Sequence, residues 1–95
     1  MELDDQAAAD RLLRGAVLGR LLELYPAPLT VDELVVEFAD DPHDFIQRDD
    51  VERTIRDLAR EWLVHRYRMV RGRVAFVIAT RAAVNFAALP VLLAE

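Results

Sequence analysis

Between Arg53 and Arg73 this 95-residue chain carries seven arginines, and their spacing falls into two patterns. Arg53, Arg56 and Arg60 recur every three or four residues, whereas Arg66, Arg68, Arg71 and Arg73 recur every two or three. A guanidinium stays charged throughout the physiological range and presents its N–H donors in a planar fork. Such groups bind phosphate oxygens and base edges and do not exchange protons. The chemistry on offer is recognition of an anion.

Residues that would support other chemistry are sparse. Cysteine is absent, which leaves no disulfide and no thiolate for a metal and fits a reducing compartment. His43 and His65 are far apart and form no H-x-x-x-H pair, so no transition-metal site is expected. Asp40, Asp41 and Asp44 lack the spacing and glycine of a calcium loop and read as a solvated connection. There is no G-x-S-x-G, and Gly15, Gly19 and Gly72 make no nucleotide fingerprint. A non-enzyme without metal or cofactor is expected.

The formal charge of −5 opposes an anionic partner if it is spread evenly, but it is not. Residues 1–59 carry −9 and residues 60–95 carry +4. All twelve basic residues are arginine, which with the abundant alanine suggests a GC-rich bacterial genome. The acidic start, Met1-Glu2-Leu3-Asp4-Asp5, does not resemble a secretory signal, so a cytoplasmic location is expected. The uncharged run from Ala82 to Ala94 is shorter than the roughly 20 residues that span a bilayer.

The elements that must position the arginines follow from hydrophobic periodicity. At this length one domain with one modest core is expected over residues 1–95. Leu13, Val17, Leu21 and Leu24 predict a first helix from Asp5 to Leu24, ended by Tyr25-Pro26-Ala27-Pro28. After a short extended piece at Leu29, Thr30 and Glu33 form a capping box for a second helix that buries Leu34, Val35 and Phe38 and ends near Ala39. Asp41 before Pro42 is suited to cap a single turn carrying Phe45 and Ile46 inward.

A third helix is expected from Asp49 as N-cap, with Val51, Ile55, Leu58 and Trp62 on its buried side and Arg53, Arg56 and Arg60 on the opposite one. Those arginines suit phosphates or guanine edges. On the helix alone, the pairs Asp49–Arg53, Glu52–Arg56 and Arg53–Asp57 favour a solvated, internally laced face.

From Val64 the pattern alternates. A two-residue turn at Arg71-Gly72 pairs Met69 with Val74, Arg68 with Ala75, Tyr67 with Phe76, Arg66 with Val77 and His65 with Ile78; a four-residue loop is the alternative. Met69, Val74, Tyr67, Phe76 and Ile78 then form the face laid on the helices, with His65 packed among them. Arg66, Arg68 and Arg73 point away, with Arg71 at the tip. Thr80 is suited to cap a last helix through Arg81, Val84, Phe86 and Leu89, broken near Pro90. The apolar first helix and the apolar tail Val91-Leu92-Leu93 favour a homodimer through the first and last helices.

This order of elements resembles the winged helix-turn-helix of small bacterial transcription regulators such as the MarR and PadR groups. The resemblance covers roughly Leu12 to Phe86 and rests on Leu29-Thr30-Val31-Asp32-Glu33-Leu34, on Val51 to Val64 and on Arg66 to Thr80. It implies a mainly α fold with a small β-hairpin: a three-helix core at about 12–81, a wing, and a C-terminal helix and tail at 81–95. It also implies a DNA-binding regulator with a recognition helix at about 49–63 in the major groove of double-stranded DNA and a wing at about 65–79 on the backbone. Groove contact then falls to Arg53, Arg56 and Arg60, and backbone contact to Arg66, Arg68, Arg71 and Arg73. The alternative is a winged-helix module that binds another protein and not DNA.

Overall fold

The computed structural model describes residues 2–39, 46–69 and 71–94, with side chains from residue 7 to residue 87 among them. The elements run α1 (Glu2–Leu24), β1 (Leu29–Thr30), α2 (Val31–Ala39), α3 (Arg48–Arg60), β2 (Val64–Arg68), β3 (Ala75–Ala79) and α4 (Arg81–Ala94). The expected turn at Asp41 to Phe45 lies outside the described residues.

Helical spacing on α1 directs Leu13, Val17 and Leu21 inward, where they meet Leu34 of α2 and Val51, Ile55 and Leu58 of α3. Burying each such aliphatic side chain contributes about 1.5–3 kcal/mol. Ile46, ahead of α3, packs partly against the same core. Leu12 faces solvent on α1, so the breadth of that apolar helix is only partly used within the chain.

Local signals set the helix starts. At α2 the capping box forms as expected: Glu33 N–H donates to Thr30 Oγ1 at 3.0 Å, and Thr30 N–H donates to a Glu33 carboxylate oxygen at 3.2 Å. At α3 the start lies two residues earlier than expected. Gln47, not Asp49, is the N-cap, and its N–H donates to Asp50 Oδ2 at 2.9 Å. Asp50, three residues after Gln47, stands where it can accept that proton, so the first turn of α3 gains Arg48.

The end of α3 also differs from expectation. Trp62 does not extend the buried stripe: it lies beyond the helix in a left-handed conformation, φ 63°, and is 78% exposed. The chain reverses there, so that Leu63 N–H reaches the carbonyl of Leu58 and Val64 enters the core.

Strands β2 and β3 pair antiparallel with Arg68 opposite Ala75, Tyr67 opposite Phe76, Arg66 opposite Val77 and His65 opposite Ile78, the expected register. The expected two-residue turn is not formed. The ladder stops at Arg68–Ala75, and Gly72 N–H donates to Met69 carbonyl at 2.9 Å in a longer connection. Strand β1 adds to the other side of β3, Leu29 opposite Val77 and Thr30 opposite Phe76, giving the antiparallel order β1-β3-β2.

The buried face of the hairpin is the opposite of the one expected. Val64, Val77 and Ala79 pack on the helices, while Tyr67, Phe76 and Ile78 are only half-buried on the outer face, where His65, Met69 and Val74 are exposed. Compact valine and alanine side chains let the sheet approach the helices closely, as dense packing requires. The outer aromatics cover one another: His65 and Tyr67 stack with ring centroids 6.0 Å apart, and Tyr67 and Phe76 at 5.4 Å. Finally, α4 starts at the expected cap, with Ala83 N–H on Thr80 Oγ1 at 3.1 Å, but continues past Pro90 to Ala94. A proline within a helix removes one N–H donor, and the turns on either side keep their own.

Candidate nucleic-acid interface

The reversed hairpin face decides where the arginines go. Side chains two apart on a strand share a face, so Val64, fixed in the core, sets the direction of Arg66 and Arg68. Both therefore stand on the helix side of the sheet, beyond the core, where the wing overhangs α3. They share an open groove of about 860 Å³ with Arg73 from the hairpin connection and Arg56 from α3. Arg48, Glu52 and Ile55 complete its α3 wall, and Val31 and Asp32 at the start of α2 close one end.

Electrostatics divide these groups into two sets. Arg48 is neutralised in place: Nη2 lies 2.7 Å from Asp32 Oδ1 and Nε lies 3.1 Å from Glu52 Oε1. The hydrogen bond that Arg48 donates to Asp32, followed by the one it donates to Glu52, raises the Arg48 pKa above its ordinary value. Arg56, Arg66, Arg68 and Arg73 have no carboxylate partner among the described residues, so four free guanidinium groups converge on one surface.

The remaining arginines of the expected set lie elsewhere. Arg53 turns toward α1, with Nη2 2.9 Å from Asp50 and 3.3 Å from Asp10, beside a smaller cleft of about 180 Å³ between α1 and α3. Arg60 is exposed at the end of α3, 3.8 Å from Asp57. Arg71 is exposed in the hairpin connection and does not line the groove. The pairs expected along α3 are replaced, among the described residues, by Arg48–Glu52, Asp50–Arg53 and Asp57–Arg60. Arg48 was absent from the expected site because the helix was expected to start after it. Its spacing of four from Glu52 is the sequence signal that would have placed it.

Among the described residues no group of three or more histidines and acids could hold a metal. No described helix is long and apolar enough to cross a membrane.

Among the described residues, four helices and a three-stranded antiparallel sheet, with a capped second helix, a third helix leading into a hairpin and a helix after it, make a winged-helix fold. Among solved structures the chain is similar to a double mutant of Lactococcus lactis ZitR in its apo form, at 18% identity and a TM-score of 0.65. The match covers 96% of this chain and 63% of the ZitR chain. No family model and no curated protein matches the sequence.

Proposed function

We propose that the chain is a non-enzymatic, DNA-binding transcriptional regulator of winged-helix type, α3 lying in the major groove of double-stranded DNA and the wing on the adjacent backbone. The observation that carries this reading is the convergence of Arg56, Arg66, Arg68 and Arg73, all without carboxylate partners, on one groove beside α3. Unpaired guanidinium groups are free to displace the counterions of a phosphate backbone, which drives association with duplex DNA. Arg71, further out on the wing, and Arg60, at the end of α3, extend the contact along the backbone. Arg53 joins it only by exchanging its bonds to Asp10 and Asp50. The likeness of fold to ZitR supports the winged-helix type.

The reading includes a bacterial, cytoplasmic homodimer. Leu12 on α1 and Phe86 on α4 are 76% and 72% exposed, and a second copy packed through the first and last helices would cover both. The decisive experiment is a salt titration of duplex binding. Four neutralised phosphates give a slope of log K against log salt of roughly −3 to −4 per subunit. Reversing charge with Arg56→Glu and Arg68→Glu should abolish binding while the fold persists. Failure of the wild type to bind duplex DNA at low salt overturns the reading. The second reading, a module that binds a protein, would then stand on the exposed indole of Trp62, a side chain enriched at interface hot spots.

A further inference from the structure

Within the DNA-binding reading, on which this inference rests, the acidic residues of the groove need a reason to be there. A carboxylate facing phosphates weakens binding to every duplex, so it favours binding only where it meets a donor. In the major groove the donors are the amino groups of cytosine and adenine, and adenine sets an acceptor, N7, beside its amino group. Cytosine offers its N4 amino group without that neighbouring acceptor.

We infer that Glu52 and Arg56 read bases, and that the preferred duplex carries a cytosine and a guanine one or two steps apart under α3. Both side chains line the groove and are one helical turn apart on the same face of α3. Positions i and i+4 are about 6 Å apart on a helix surface, and successive base pairs rise by about 3.4 Å. The two side chains therefore address base pairs separated by one or two steps. Arg56 has no partner among the described residues and is free to donate to O6 and N7 of guanine. Glu52 is held by one oxygen only: Oε1 accepts from Arg48 Nε, and Oε2 has no partner among the described residues. That second oxygen accepts from cytosine N4.

Arg48 is the positioning residue of this pair. Its guanidinium is anchored to Asp32 at 2.7 Å and grips Glu52 at 3.1 Å, so the carboxylate is oriented before any duplex arrives. It also cancels the charge of Asp32, the other acid lining the groove.

The test is selection of the full chain on a random 20-base-pair duplex library at fixed salt, followed by sequencing, for the wild type and for Glu52→Gln, Arg56→Ala and Arg48→Ala. Circular dichroism establishes that each variant is folded. The wild type should enrich a cytosine and a guanine within two steps, the guanine favoured roughly five- to a hundredfold over the wrong base. Arg56→Ala should lose the guanine only. Glu52→Gln should exchange cytosine for adenine, because a glutamine amide pairs with adenine N6 and N7. Arg48→Ala should blur the cytosine preference and keep the guanine, whereas a merely structural role would weaken both together. A measurement without variants repeats the guanine test: replacing guanine by 7-deazaguanine in the selected duplex removes N7 and should weaken wild-type binding severalfold. If the wild type retains duplex DNA with the expected salt dependence but enriches no base, the proposal is overturned and the DNA-binding reading stands. If no duplex is retained at low salt, both fail.

Discussion

The hydroxyl of Thr80 donates a 2.7 Å hydrogen bond to the carbonyl of Trp62 while accepting one from the N–H of Ala83 at 3.1 Å. One side chain thereby ties the end of α3 to the start of α4, and Thr80 N–H adds a bond to Leu63 carbonyl at 3.1 Å. Thr80→Val keeps the shape and loses the hydroxyl bonds, including a weaker one donated to Leu63 carbonyl at 3.3 Å. It should cost about 1–2 kcal/mol, as loss of an N-cap does, with Thr80→Ser close to wild type. Urea titration checks this: the midpoint should fall at unchanged slope.

Trp62 holds a left-handed conformation that disfavours any residue with a Cβ, and its indole is too exposed for packing to compensate much. Trp62→Gly should therefore stabilise the fold by about 0.5–1 kcal/mol, and Trp62→Ala, which retains the strain, should not. Thermal denaturation of the two variants distinguishes them.

Paired and unpaired arginines should respond differently to truncation. Arg68→Ala should leave stability within about 0.5 kcal/mol and reduce the salt slope of duplex binding by about 0.9. Arg53→Ala breaks the exposed bonds to Asp10 and Asp50, costing at most about 1 kcal/mol, with little change in the slope. Equal effects of the two on the slope would show that Arg53 leaves its partners when DNA binds.

Leu58 is fully buried between the helices and the sheet. Leu58→Ala should cost about 2–5 kcal/mol through lost transfer energy and the cavity left behind. That is a large part of the stability of about 5–15 kcal/mol expected of a whole domain. Chemical denaturation should show the loss.

The exposed apolar groups on α1 and α4 predict association. Leu12→Glu and Phe86→Glu should each shift the sedimentation equilibrium toward monomer, and the double variant should do so further. Unchanged association in both would move the interface away from these helices.

Features that depend on neighbours a few residues apart were determined by the sequence itself. The capping box of Thr30 and Glu33, the cap at Thr80 and the pairing of Tyr67 with Phe76 each follow from short-range geometry, and all three are present. The groove was only half legible. Its arginines stood out by spacing, but both faces of the hairpin carry apolar residues, and period alone does not say which meets the helices. Tertiary packing decided for Val64, Val77 and Ala79, because small side chains permit close approach, and that choice turned Arg66 and Arg68 toward α3. Packing also decided which arginines are free. Arg53 found Asp10, 43 residues away, and Arg48 found Asp32, 16 away, contacts that exist only once α1, α2 and α3 lie together.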